Sequence, residues 1–437
     1  MKRILFSILV VAAVLSLGGR ARAADWFLTP EGAGRKDGTS WEQSLDQGAL
    51  ARAANELLQP GDRLLIGGGV FKNVELTIST GGRAGRPKTI LGVDRGAGLP
   101  VFASDWSIAQ PAKGRVALRL GPGVSHLTIQ HLRLKGYLIG VAASAIKETG
   151  ARSHLIFEDV DLEQGRHGFF LSDCDDVLLT GCDLKRYSKH GFRLEGGCHR
   201  VTFRQCTADC SEGDADWENK TELLPFGFDV NNGGTPSTQV VFEDCLARNN
   251  MKPNQANRYK NGDGFVVEGN SRDVVFRRCR SLRNQDGGFD LKVPEVRLTD
   301  CVAMGNKRGF RIWTTGTLTN CLSAGGETSL WCNGGPVTAT RCTFHAAHSL
   351  AVMGDDRATE PITVSDGIIS AGPDAAPFRP TGRKVVLTGT IIAGPGHTDK
   401  APDYPRPEPS WDGRGDAMDS AAYPDKGYRS TRVTPGL

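Results

Sequence analysis

Apolar and polar residues alternate in short runs along most of the chain, and the runs resemble one another. VLLTGC, VTFRQC, VVFEDC, VVFRRC, VRLTDC, GTLTNC and VTATRC end on Cys182, Cys206, Cys245, Cys279, Cys301, Cys321 and Cys342. Their β-branched residues at period two make each run a strand closed by a polar turn. A second element recurs between them: Gly-Phe at 168–169, 191–192, 227–228, 264–265, 288–289 and 309–310, each followed by another alternating pair. The cysteine intervals of 24, 39, 34, 22, 20 and 21 residues describe a repeating unit stretched by two insertions. Such a unit cannot bury its apolar side alone, whereas stacked copies share one continuous core. With no helical pattern between the runs, the expected fold is all-β, a right-handed parallel β-helix. A leucine-rich repeat is excluded because LxxLxL and its Asn are absent, and the unit is half a propeller blade long.

The ends break the repeat. DWFLTP (25–30) reads as a strand, and QGALARAANELL (47–58) has helical apolar spacing suited to capping the N-terminal end of the solenoid. Coils are expected from about Asp62 to about Gly394. Before them, Met1-Lys2-Arg3, an apolar stretch at 4–19 and Ala21-Arg22-Ala23 have the order of an export signal. The organisation is therefore read as a signal peptide at 1–23, a β-helix domain at 24–400 and a Pro-rich tail at 401–437 wrapping the far end. No other segment is long and apolar enough to span a bilayer. A secreted protein, periplasmic or extracellular, is expected, monomeric and without a stable membrane span after signal cleavage.

Composition then changes three points. The net charge of +4 comes from four basic residues in residues 1–23, so the remainder is formally neutral and gives no support for nucleic-acid binding. Eleven cysteines are an odd number at periodic positions, which favours an inward column of small apolar side chains over disulfides. The 55 glycines are expected to mark tight turns.

Chemistry should lie where the repeat is broken. If each Phe of Gly-Phe points inward, strand alternation turns the next residue outward. One outward row is then Arg193, Asp229, Val266, Asp290 and Arg311, and a second is Glu195, Asn231, Glu268, Lys292 and Trp313. Asp263 and Arg308 precede their Gly-Phe pairs, with Asp286 one step further back. Asp263, Asp286 and Asp290 thus converge on adjacent coils, where mutual repulsion calls for a cation and oxygen-only ligands suit Ca²⁺. Turn-filling by Asp is the structural alternative.

NGDGF (261–265), NQDGGFDL (284–291) and NKRGFRI (306–312) together resemble the calcium-dependent pectate lyases of polysaccharide lyase family 9. PGDRLLIGGGVF (60–71) looks like the first coil common to such proteins. The resemblance implies that Asp263, Asp286 and Asp290 are calcium ligands, with the family's fourth ligand falling on Gly287 and its lysine base on Arg311. Lys292 is a second candidate base. The implied reaction is β-elimination at a uronate, in which the metal acidifies the C5 proton, a base removes it, and the C4 oxygen leaves. Arg193, Arg258, Tyr259, Lys260, Arg308 and Trp313, with Asp229 beside them, are candidates for gripping an acidic polysaccharide.

Two other readings stay open. A β-helix glycoside hydrolase would need two carboxylates, which Asp229 with Asp263 or Asp290 could supply. A non-catalytic polysaccharide-binding protein is favoured by Gly287 and Arg311. His167 and His190 both precede Gly-Phe pairs and read equally as a structural ladder on neighbouring coils or as part of a site. The acidic insert 209–225 lacks EF-hand spacing and reads as a solvated loop. No HExxH, CxxC pair or GxSxG is present.

Overall fold

The computed structural model describes residues 23–143, 150–231, 234–253, 262–356, 358–379, 383–397 and 425–430. Residues 1–22 of the expected signal peptide, most of the tail, and Arg258, Tyr259 and Lys260 lie outside the described residues. All the paired strands named here run parallel, and the coils form a right-handed parallel β-helix, as the repeat predicted. A short helical segment, Gln47–Leu57, buries Leu50, Ala53 and Ala54 over the N-terminal end.

Each coil contributes to three strand stacks. The first stack carries the repeating runs, His199–Arg204, Thr238–Glu243, Arg272–Arg277 and Val296–Thr299 among them. The second is made of short strands such as Thr207–Asp209, Leu246–Arg248, Arg280–Leu282 and Val302–Met304. The third holds the Gly-Phe strands: the end of Asp183–Glu195, then Phe226–Asn231, Asp263–Val267, Gly287–Leu291 and Arg308–Ile312.

The third stack explains the Gly-Phe pair. Phe169, Phe192, Phe228, Phe265, Phe289 and Phe310 point inward and are buried, and successive rings stack at 4.7–5.4 Å. They meet a second ladder, Phe203–Phe242–Phe276, edge to face, as Phe228 and Phe242 do at 83°. Full burial contributes about 1.5–3 kcal/mol per ring, and a favourable aromatic pair adds about 0.5–1.5 kcal/mol. The glycine is required by the adjacent coil. A Cβ on Gly191, Gly227 or Gly264 would lie 2.6–2.7 Å from the next coil's glycine carbonyl.

Many glycines do sit at left-handed positions, Gly123, Gly213 and Gly305 among them, but the cysteine column does not rely on them. The bend before each cysteine of the column is left-handed, yet it is filled by Gln205, Asp244, Arg278, Asp300, Asn320 and Arg341, with φ between 51° and 56°, and by glycine only at Gly181. Asn and Asp tolerate this region well, the longer side chains less so. The cysteines that follow are all buried as free thiols. The Sγ of Cys206 and of Cys245 each donate to carbonyls of their own and the preceding coil.

Two peripheral expectations change. The insert 209–225 is packed rather than solvated. Asp214 caps a short helix, Ala215–Glu218, whose Trp217 is buried, while buried Glu218 pairs with Arg283 at 2.6 Å. The described part of the tail lies along the outside of the second stack rather than over the far end. Tyr428 sits among Leu246, Leu282, Val302, Met304, Leu322 and Ala324, and Arg429 exchanges backbone hydrogen bonds with the Asn320 side chain.

Candidate active site on the outward face of the third stack

The register places Arg193, Asp229, Val266, Asp290 and Arg311 in one outward row, as alternation from the Phe ladder requires. Successive members are one coil apart, about 4.8 Å. The residues one step before each Gly-Phe glycine, His167, His190, Phe226, Asp263, Gly287 and Arg308, make a parallel row. Two asparagines of the motif segments, Asn284 and Asn306, do not join this face, and Asn261 lies outside the described residues. Asn250, Asn284 and Asn306 are buried, and each of the first two donates its side-chain amide to the next at 2.8–2.9 Å. They brace the bend leading into the third stack.

Asp263, Asp286 and Asp290 do come together. Burial, then the charges of Asp290 and Asp286, hold the Asp263 carboxyl well above the usual carboxylate range, against the Gly287 N–H and Arg311. That N–H donates to Asp263 Oδ1 at 2.6 Å. The acids are nevertheless engaged by cations. Arg311 Nη1 lies 3.4 Å from Asp286 and 3.3 Å from Asp290, and Arg308 Nη1 lies 2.7 Å from the other oxygen of Asp286. Asp290 also accepts from Trp313 Nε1 at 2.6 Å and lies 3.3 Å from Lys292.

This arrangement does not fit the calcium site implied by the resemblance. The guanidinium of Arg311 occupies the position between two of the three carboxylates. A fourth ligand is missing at Gly287, where even a Cβ would lie 2.8 Å from Asp263 Oδ1. Among the described residues no three acid, histidine or cysteine side chains gather closely enough to share an ion.

Neither candidate base is suited to that task. Arg311 is held between carboxylates, and a guanidinium stays protonated in proteins. Burial opposes the charge on Lys292, but Asp290 and Glu268 outweigh it and its pKa is raised. Both act as cations. Arg311 has a further property: its side chain is only 13 % exposed, and its Nε is buried without a partner. It lies 5.1 Å from the Trp313 ring and 5.5 Å from that of Trp331.

The group poised near neutrality is Asp229. Burial raises its pKa to about 7 against Arg193, with Glu268 and Glu195 adding to the rise and Lys292 opposing it. Arg193 Nη1 reaches Asp229 at 2.9 Å and His190 Nε2 at 2.9 Å. His190 Nδ1 in turn meets His167 Nδ1 at 2.9 Å, so the histidine ladder ends in the site. Burial, helped by the surrounding cations, lowers His167 to about 3 and His190 well below its ordinary value, so both rings are neutral at pH 7.

Sequence reasoning placed Asp229 and Arg193 on this face but not their network. It missed Trp331, because Ser329-Leu330 replaces Gly-Phe in that coil. With that mark absent no repeat signal placed it, and the register of the structure sets it beside Arg311.

A family model described as a right handed beta helix region matches residues 144–325. No curated protein matches the chain. Solved structures with this architecture include pectate lyase Pel9A, 16% identical over 69% of this chain and 76% of that one, with a TM-score of 0.54. GH136 lacto-N-biosidase from Eubacterium ramulus is 12% identical over 84% of this chain and 67% of that one, with a TM-score of 0.52. The A-module of mannuronan C-5 epimerase AlgE6 from Azotobacter vinelandii is 16% identical over 80% of this chain and 94% of that one, with a TM-score of 0.50. At these identities the likeness shows the fold, one that a lyase, a glycosidase and an epimerase share. Among the described residues no helix is long and apolar enough to cross a membrane.

Proposed function

We propose that the protein is an exported polysaccharide lyase that cleaves an acidic, uronate-containing glycan, pectate or a polymer like it, by β-elimination. The observation that carries this reading is Arg311, a nearly buried cation with an unpartnered N–H, set against two tryptophans beside Arg308 and Lys292. Paired donors on a guanidinium match a carboxylate, and aromatic faces can lie against sugar rings. Lyases and epimerases of uronates share the need to neutralise the sugar carboxylate before the C5 proton can leave, which suits the cations here.

In this reading Arg311, with Lys292 and Arg308, holds the carboxylate and stabilises the enolate-like charge that develops on it. Asp229 is the base. It stands in the same outward row, two coils from Asp290 and three, about 14 Å, from Arg311. The carboxylate beside it is therefore held from the Lys292 end of the cation group, the end close enough to act on the ionisation of Asp229. A pKa near the working pH suits proton transfer. Asp229 takes the C5 proton, the C5–H electrons form the C4=C5 bond, the C4–O bond breaks, and the departing oxygen takes a proton from solvent water. No step requires calcium.

Hydrolysis is the second reading, supported by one observation. Asp229 and Asp290 share a row two coils apart, about 10 Å between backbones, near the carboxyl separation of inverting glycosidases. A protonated Asp229 would then be the acid. Incubation with polygalacturonate, alginate and a glycosaminoglycan distinguishes the readings. Elimination yields new reducing ends with ultraviolet absorbance from the unsaturated uronate, and hydrolysis yields reducing ends without it. Binding with neither product returns the protein to the non-catalytic class.

A further inference from the structure

The same face carries a second group of cations, farther toward the N-terminal end, that the chemistry above does not use. Arg166 and Lys189 immediately precede His167 and His190, which are partners in the strand register. Between Tyr187 and His190 that register shifts by one residue. The later strand spends three steps where the earlier spends two, and a bulge of this kind re-aims side chains. It sets Lys189 beside Arg166 on the neighbouring coil.

Both side chains are partly buried, and neither makes a hydrogen bond or ion pair among the described residues. Arg193, on the same coil as Lys189, is already committed to Asp229 and Glu195. The remaining pair is therefore uncompensated. Burial and the charges of Arg193 and Arg166 lower the Lys189 pKa, with Asp229 and Glu195 only partly opposing. The imidazoles behind them are neutral and supply no counter-charge. Phe170, under Arg193 at 5.5 Å, adds an aromatic surface to the same corner.

We propose that Arg166 and Lys189 form a distal carboxylate subsite for the acidic glycan, resting on the reading of the face as a uronate-binding surface. Lys189 lies four coils from Arg311 and Arg166 lies five, about 19–24 Å along the solenoid axis. A bound chain must therefore be several sugars long to engage both ends, and affinity should rise with length until it does.

The test is binding of oligogalacturonates of two to eight sugars, and of polygalacturonate and alginate, to the full chain, with neutral dextran as control. Wild type should bind the long acidic chains more tightly than the short ones, with strong salt dependence. The double variant R166A/K189A should lose about tenfold or more on the long chains and nothing on the dimer. The charge-preserving R166K/K189R should retain most of the increment, and the melting temperature should stay near wild type in both. Unchanged long-chain binding in R166A/K189A overturns this inference while leaving the uronate reading intact. Failure of wild type to bind any acidic chain overturns both.

Discussion

Along the third stack, the inward and outward columns are built from neighbouring residues of the same strands, yet they vary in opposite ways. Inward, one residue type persists from Phe169 to Phe310. Outward, Phe170, Arg193, Asp229, Val266, Asp290 and Arg311 change at each step. Identical rings stack because every coil meets the same neighbour at the same distance, so repetition there is packing. An outward row contributes little to packing, and a buried acid or arginine in it carries a desolvation penalty that packing does not offset. Variation on that side is where a substrate can be read.

The sharpest way to break this contrast is to remove one residue from each column. Arg311→Ala should lower turnover on the best acidic polymer by about a hundredfold or more, as loss of a preorganised charge donor does, with the thermal midpoint near wild type. Phe265→Ala, on the inward side, should destabilise the fold by about 3–5 kcal/mol, read by denaturant titration, while the remaining folded molecules keep their turnover. An Arg311 variant that loses its fold, or a Phe265 variant that loses only its activity, would collapse the distinction.

Asp229 sharpens the contrast through pH, because it is outward in register yet buried. Its carboxyl ionises near pH 7 in the folded protein and near its ordinary value of 3.8 when unfolded. Between those values the unfolded chain releases a proton that the folded chain keeps, so stability falls as pH rises through that window. Activity separates the chemical roles. A base is competent when ionised, so elimination should rise with pH through about 7. An acid is competent when protonated, so hydrolysis should fall. Asp229→Asn should abolish the limb, and a pH profile unchanged by that variant would remove Asp229 from the chemistry.

The cysteine column offers a smaller effect. Cys279→Ala should cost about 1 kcal/mol, the loss of one buried group with partial relaxation. All the thiols should react with a thiol reagent only on unfolding, since each is buried. Rapid labelling of the native protein would mean that the column is not sealed.

The fold was legible because stacking is periodic and periodicity survives in sequence. The seven Cys runs and six Gly-Phe pairs fixed the strands, the register and the rows. What was not legible depends on interactions between coils. Asn284 and Asn306 bond along the axis to other asparagines, a ladder that the spacing of the motif segments did not announce. Arg278 and Arg341 in left-handed bends could not be told from ordinary surface arginines. The acids at 263, 286 and 290 lie near enough to act on one another by charge. That Arg311 and Arg308 lie against Asp286 and Asp290 is a matter of side-chain reach, which spacing does not encode.

The metal is where that difference has a measurable consequence, and the expected effect is none. If guanidinium does the work of the cation, activity on the best polymer should survive EDTA and should not rise on adding millimolar calcium. The result is interpretable because the two cations differ in exchange. A chelator strips a metal whose ligands are few and partly open, whereas Arg311 is covalently part of the chain. Arg311→Ala vacates the space between Asp286 and Asp290, leaving two carboxylates without that partner. If the acids are intrinsically a calcium site masked by the arginine, that variant should acquire calcium binding by calorimetry. If they are a device for orienting Arg311, it should acquire none. Calcium-dependent turnover in wild type would overturn the assignment and restore the metal to the mechanism.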